Sequence, residues 1–413
     1  MDWLTSIFRL PRDCWMLSLI SFINRAGSMV AVYLVVFLKK RYGAEEATAS
    51  ATVFAVGAAA LAAAPWAGRW TDRVGAARVI SFSLLSSGIA LTLVPWMPDV
   101  LLAGACLVAY SALAELLRPA TLAAIVEIAP PELRRSAYAL HRVAVNLAIA
   151  VGSAAGGYLA AWNVDAIFWV DGGTSLLAFA AFAAAPFGLR AAAPRTAAAE
   201  GPVMPVDVLR DASLTAPLAA LLPSLAVFFL ILSPLTHDLV HQRGRPESFV
   251  GGLFVINTLL VVATELPINA VTARWRPSRA VGLGAFVMAA GFAMYGVGVG
   301  GPRETEWLVA GTVVWTFGEI VLFPAASDYV ARIAPPSRRG AYMGWYSVAF
   351  NLAHTAGPAL GLLVLKERAA PTLWIGGGLL AAASAIGTAA VMRRIERAPP
   401  PAPEPDPELQ PLA

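Results

Sequence analysis

Apolar residues run along this chain in stretches of about twenty, separated by short polar breaks at charged residues or at Pro and Gly. That is the length at which a helix crosses the core of a bilayer, where backbone N–H and C=O groups have no water and must pair within the helix. Twelve such segments can be marked, six in each half. The first six run over 12–38, 47–67, 78–97, 100–126, 136–160 and 163–188. The second six run over 214–240, 248–272, 280–299, 306–331, 340–364 and 372–392. The pattern predicts an all-α polytopic membrane protein with twelve transmembrane helices in two pseudo-symmetric six-helix bundles, residues 1–189 and 213–397. Residues 190–212, rich in Ala and Pro with both signs of charge, read as a cytoplasmic linker. The Pro-rich, acidic tail 398–413 has too little to bury to fold.

Composition agrees with lipid as the solvent. Of 413 residues, 58% are hydrophobic and 14% charged, where a soluble protein carries about 25% charged residues. The net charge of +4 is spread thinly, with no basic run interleaved with aromatics, which argues against nucleic acid as a partner. Cys14 and Cys106 fall in separate apolar stretches, too few for a disulfide framework or a metal cluster. The first apolar stretch is longer than a signal-peptide core and lacks a small-residue cleavage site, so it is expected to stay in the mature protein. Basic residues near helix ends stay on the cytoplasmic side. With both termini inside, most of the 30 Lys and Arg residues fall there, and Lys39, Lys40 and Arg41 form the local exception. The expected location is a bacterial-type inner membrane.

The two halves repeat each other. Glu115, Ile128-Ala129-Pro130-Pro131, Arg134-Arg135, Ala137-Tyr138 and Asn146-Leu147 return as Glu319, Ile333-Ala334-Pro335-Pro336, Arg338-Arg339, Ala341-Tyr342 and Asn351-Leu352. The offset stays at 204 or 205 residues. A parallel repeat of even helix number corresponds to an axis along the membrane normal.

Between the second and third segments lies Gly68-Arg69-Trp70-Thr71-Asp72-Arg73-Val74-Gly75, closed by Arg78. Gly68 lets a helix end approach closely, Gly75 permits a tight turn, and Asp72 can face the positive N-terminus of another helix. Glu127 is expected to pair with Arg73 or Arg78. The matching loop of the second half has Arg274 for Asp72 and Pro277 for Gly75, so a second latch is not expected there. The fifth segment carries Gly152, Gly156 and Gly157; its repeat carries Gly357-Pro358 and Gly361.

These motifs resemble the major facilitator superfamily. The loop matches its cytoplasmic signature at Gly68, Asp72, Arg73 and Gly75, with Ala76 and Ala77 in place of the usual basic residues. The glycines resemble partial copies of the antiporter motif of its drug:proton exporters, with Ser153 for the proline in one copy and Leu362 for the last glycine in the other. Asn24-Arg25-Ala26-Gly27 and the run from Arg338 to Gly344 are similar to its multidrug-resistance-like branch. The resemblance implies a transporter working by alternating access, with a proton gradient and no cofactor. Tight helix packing is the competing role for the same glycines.

Charges inside the segments carry the mechanistic expectation, since one at mid-membrane costs at least ~2.5 kcal/mol. Arg25 lies about 20 Å along the first helix, near the midplane. Glu115 and Arg118, three residues apart, are expected to share a face and pair. Arg142 is expected at similar depth, competing for Glu115. Asp171 lies in the outer half of the sixth segment. Glu115, held between Arg118 and Arg142, is the first candidate proton site, against a static ion pair as the alternative. Glu319, with no arginine at the equivalent spacing, is the second. Glu265 reads as reaching toward the interface. His354 lies inside the membrane; hydrogen-bonded packing and titration both remain open for it. Phe22, Tyr33, Tyr110, Trp315, Phe317 and Tyr346 are candidate cavity aromatics, and Trp66, Trp70, Trp96, Trp162 and Trp307 read as interfacial anchors.

The sequence therefore points to a monomeric, proton-coupled exporter of small amphiphilic or drug-like compounds, in contact with the bilayer. A transporter of a defined metabolite, a sugar, organic acid or amino acid, is the rival within the fold, with Asn24, Arg25 and Arg118 as ligands. A lipid flippase and a non-transporting signalling protein are rivals of another class. No phosphate-cradling loop, paired-His motif or nucleotide-binding domain points to an enzyme.

Overall fold

The computed structural model describes residues 9–185 and 205–397. Most of the predicted linker, 190–204, and the whole tail 398–413 lie outside the described residues. Among those described, every regular element is helical.

The first predicted span is two helices, α1 (Arg12–Ala26) and α2 (Val30–Tyr42), and not the continuous helix expected. The break falls at Gly27, where any side chain would overlap Thr174 and lie 2.9 Å from the Asp171 Cα. The chain continues through α3 (Glu46–Val74), α4 (Ala76–Leu93), α5 (Val100–Glu115), α6 (Leu117–Ile128), α7 (Arg134–Trp162) and α8 (Ala166–Ala184). In the second half come α9 (Ala212–Phe228), α10 (Ser233–Thr236) with a π-turn at His237–Gln242, α11 (Glu247–Thr272), α12 (Pro277–Val297), α13 (Glu304–Ile333), α14 (Arg339–Glu367) and α15 (Ala370–Arg397). The seventh span is broken too, by a tight turn at Phe229–Ile231 just before Pro234, which lacks an N–H and cannot continue the helix. Both halves thus break their first helix at related positions.

Ten helices are long and apolar enough to cross a membrane by length and composition. Of the other predicted spans, the first is divided and the fifth, α7, carries Arg134, Arg135, His141 and Arg142. Several helices outrun the apolar segments that announced them; α3 continues from the predicted 67 to Val74 because the Gly68–Arg73 run is itself helical. Phe54 is 75% exposed and Leu101 77%, a degree of exposure for large apolar side chains that lipid, and not water, accommodates.

Small residues set the closest packing. Gly152 of α7 would place a Cβ 2.7 Å from Ala26 O, and Gly156 one 2.8 Å from the Tyr33 ring, so α7 seats directly on the α1–α2 break. In the repeat, a Cβ on Gly357 of α14 would overlap Ala226 O, and one on Gly361 would lie 2.8 Å from Pro234, at the α9–α10 break. The paired glycine motifs therefore do the same packing work in each half. Pro358 lies within α14. Gly157 lies in α7, and its surroundings are outside the described residues.

Candidate functional site

The two halves meet along one end of the bundle, and every hydrogen bond between them described below lies from that end to the bundle centre. At the outermost layer, Asp72 of α3 caps α14. Its Oδ1 accepts from Gly340 N–H at 2.5 Å and its Oδ2 from Ala341 N–H at 2.7 Å. A carboxylate there satisfies orphan backbone donors and meets the positive end of the helix dipole. The approach requires glycine on both sides: a Cβ on Gly68 would overlap Gly340 O, and one on Gly344 would lie 2.8 Å from Ala64 O. Gly75 turns the chain from α3 to α4 at φ +89°, a left-handed conformation that disfavours side chains. Arg78 donates to Val74 O at 3.5 Å. Arg73, Arg78 and Glu127 all have exposed side chains, where ion pairs gain little in high dielectric.

A second layer is the inverse of the first. Arg135 of α7, 1% exposed, donates to Thr272 O and to Trp275 O (3.0 Å) at the C-terminal end of α11. It also pairs with buried Asp328 of α13 at 2.9 Å, and Arg332 reaches the same oxygen at 2.9 Å. One half thus sets a carboxylate on a helix N-terminus of the other and a guanidinium on a helix C-terminus. The loop with Arg274 and Pro277 carries no acidic latch; its helix end receives Arg135.

The third layer is Arg142. Its Nε lies 2.6 Å from Glu265 Oε1 of α11, and its Nη2 lies 3.4 Å from Glu319 Oε1 of α13, an ion pair without hydrogen-bond alignment. Asn257 donates to the same Glu319 oxygen at 2.7 Å. Three expectations change here. Arg142 does not compete for Glu115; Glu319 does have an arginine, supplied by the other half; and Glu265 is fully buried in the interface, with Oε2 accepting no hydrogen bond among the described residues. Spacing along one helix cannot reveal a partner that lies 123 residues away.

Deeper still, Glu115 is held by Asn351 of α14, whose Nδ2 donates at 2.8 Å. Arg118 donates to Asn351 Oδ1 at 3.4 Å and stacks on Phe350 at 3.5 Å from the ring centroid. The expected Glu115–Arg118 pair is replaced by this bridge. Pro119 removes the amide that would bond to Glu115 C=O, and the helix breaks at Leu116 between the two charges. Asn351 gave no sequence signal beyond its place in the repeat.

Arg25 ends α1 and shares this centre with Glu115, Arg118 and His141, all within electrostatic range. Asn24 beside it is buried and donates to Ser175 of α8 at 2.9 Å. Asp171 turns to the broken helix, accepting from Val30 N–H at 3.5 Å. His354 stacks edge-on against Phe229 one turn beyond Phe350, on the open side. Of the candidate cavity aromatics, Trp315 and Tyr346 are each 2% exposed and belong to the core. Phe317 lines a mostly apolar cleft of about 450 Å³ between α11, α12 and α13, apart from the Arg25–Glu115–Arg118 centre. Phe229, Phe323 and Phe350 form the central aromatic group instead.

Sequence comparison names the architecture. The profile of the Major Facilitator Superfamily matches residues 17–239 and 224–412. The chain belongs to this superfamily, a family of membrane transporters and not of enzymes. It is similar to two uncharacterized MFS-type transporters of Bacillus subtilis (strain 168): YqjV, 29% identical over 119 residues, and YttB, 24% identical over 236 residues. The aligned stretches span 28% and 57% of those relatives' lengths. Among solved structures, a bacterial homologue of the iron transporter ferroportin in its outward-facing state superposes with a TM-score of 0.73 at 14% identity, covering 94% of this chain and 100% of that one. The fucose:proton symporter FucP of E. coli gives 0.74 at 13%, covering 92% and 98%. The human organic anion transporter MFSD10 gives 0.65 at 18%, covering 93% and 98%. At these identities the likeness is one of fold.

Proposed function

We propose that this protein is a proton-coupled secondary transporter that exports small amphiphilic compounds across a bacterial-type inner membrane by alternating access, as a monomer and without a cofactor. The observation that carries the reading is Arg142, which one half lends to two buried carboxylates of the other. The Arg-rich end bearing Asp72 and Arg135 is taken as cytoplasmic, with both termini on that side. Contacts between the halves at that end make the conformation outward-open.

To open the cytoplasmic end, Arg142 must withdraw from Glu265 and Glu319. Two carboxylates then stay behind in low dielectric with no cation, a state costing several kcal/mol unless a proton neutralises one of them. Glu265 Oε2, buried and without a donor among the described residues, is a vacant acceptor for that proton. Protonation from the open side thus weakens the gate, and release to the cytoplasm restores the charge that closes it. Glu115, whose carboxylate leans on Asn351 and not on an arginine, becomes a positioning group of the central cavity. The export direction is supported by the glycine motifs shared with antiporters, which here seat α7 and α14 on the two broken helices.

The test is a proteoliposome flux assay with an imposed proton gradient and a panel of dyes, antibiotics, sugars and amino acids. Gradient-dependent extrusion of at least one amphiphilic compound is expected. Flux of a compound that ignores the gradient would remove proton coupling, and uptake along with protons would reverse the direction.

A further inference from the structure

The charged centre of the bundle divides into two groups of ionised side chains. Arg142 is taken up by Glu265 and Glu319. That leaves Arg25 and Arg118 near Glu115, which is committed to Asn351 at 2.8 Å, with Asp171 also within electrostatic range of Arg25. Among the described residues neither arginine has a carboxylate within 4.0 Å. Asp171 spends its carboxylate on the N-terminus of α2. Arg118 has one long bond, to Asn351 at 3.4 Å, and its guanidinium face lies on Phe350. Among the described residues it makes no other hydrogen bond.

A second observation points into the same space. His141, about two helical turns from the end of α7 that Arg135 anchors and beside Arg142, lies within electrostatic range of both Arg25 and Arg118, and its buried Nδ1 has no hydrogen-bond partner among the described residues. A buried polar atom without a partner costs ~1–3 kcal/mol, a cost that an oxyanion accepting from the ring N–H would offset. On the facing side, Phe350 packs edge-on against Phe229 at 4.9 Å, and His354 continues that apolar surface toward the open end.

We propose that the transported species is an amphiphilic organic anion, its carboxylate, sulfonate or phosphate held by Arg25, Arg118 and His141 and its apolar part lying on Phe229 and Phe350. A fork of guanidinium donors matches the geometry of such an oxyanion. A cationic amphiphile would meet two arginines and two carboxylates already committed to Asn351 and Val30, and a neutral one would leave both guanidiniums unanswered. This inference deepens the reading of the interface as a transport path, but it concerns the ligand's charge and not the coupling ion.

Equilibrium dialysis of the full-length protein in nanodiscs, with no gradient, tests it with three probes that share one ring: naphthoate, naphthalenemethanol and naphthylmethylammonium. Naphthoate is expected to bind at least about tenfold more tightly than the other two, which is ~1.4 kcal/mol. Arg25→Gln and Arg118→Gln are each expected to lose about that tenfold while leaving naphthalenemethanol unchanged, with Arg25→Lys retaining part of the preference. Melting temperatures of the variants separate loss of the site from loss of the fold. Equal affinity for the three probes, tighter binding of the ammonium, or an anion preference that survives in the Arg25→Gln/Arg118→Gln double variant would overturn the proposal. Because no gradient is applied, failure of proton coupling in the flux assay leaves this result standing, and the reverse holds too.

Discussion

Arg142 Nε sits 2.6 Å from Glu265 Oε1, and the two residues come from opposite halves of a duplicated bundle. The contact is internal to the interface that must part if the closed end is to open. It ties conformation to charge, because the pair cannot separate without exposing a buried carboxylate to a medium that solvates it poorly.

The outer latch should set the balance of conformers. Asp72→Ala removes two short bonds to the amides of Gly340 and Ala341, an interaction worth about 1–2 kcal/mol at a helix N-terminus. The ratio of end-closed to end-open protein is expected to fall by about five- to thirtyfold. Accessibility of a cysteine introduced near Gly340 to a membrane-impermeant reagent checks it; unchanged labelling would remove Asp72 from the latch.

Two glycines of α3 should respond very differently to the same substitution. A Cβ at Gly68 overlaps Gly340 O, whereas one at Gly57 meets nothing within 4 Å. Gly68→Val is expected to hold the end open and abolish cycling, while Gly57→Val is expected to remain close to the unmodified protein. Flux and cysteine accessibility measured on both variants decide between a contact role and a general loss of helix packing.

Removal of Arg135 leaves Asp328 buried with Arg332 as its remaining cation. Breaking one partner of a buried pair costs about 3–5 kcal/mol, and the surviving Arg332 bond puts this case toward the lower figure. Arg135→Met should therefore lower the melting temperature strongly, and Arg135→Met/Asp328→Leu should recover much of the loss. Failure of the double variant to recover would mean that the bonds to Thr272 O and Trp275 O matter more than the ion pair.

The start of α9 offers a pH-dependent contact outside the membrane spans. Burial pushes the Asp211 carboxyl up, but hydrogen bonds from Ser213 and Tyr342 outweigh it and hold the group below the ordinary carboxylate range. A depressed folded-state value gives stability that is present above the unfolded value of ~3.9 and lost as pH falls through the lower, folded one. The difference in melting temperature between the unmodified protein and Asp211→Asn should be constant near neutrality and shrink below about pH 4. A difference that persists at the acid limit would assign the effect to geometry and not to charge.

Much of the fold was legible because it follows from lipid. The apolar segments, the repeat and the Asp72 loop each rest on local physics, and the structure places Asp72 on a helix N-terminus as its position in the loop suggested. The breaks in the first and seventh spans were less visible: Gly27 and Pro234 are ordinary within apolar runs, and only the close approach of α8, or the missing amide, gives them consequence. The charge partners were the part least open to reading. Glu115 and Arg118 look like neighbours until Pro119 breaks the helix between them, and Arg142 finds Glu265 and Glu319 only because two halves close on each other. His141 was passed over altogether; its orphaned Nδ1 is a property of the packed interface and leaves no trace in spacing.

The coupling claim is tested most directly by the distance between spin labels at Arg78 and Arg394, exposed positions on opposite halves at the closed end, measured as a function of pH without substrate. Arg142 is faced by Glu265, Glu319 and Phe323, and Asn257 donates to Glu319. Lowering the pH is expected to populate the longer, end-open distance in the unmodified protein, and Glu319→Gln should be shifted toward that distance already at neutral pH. A distance distribution independent of pH, and identical in Glu319→Gln and Glu265→Gln, would contradict the account.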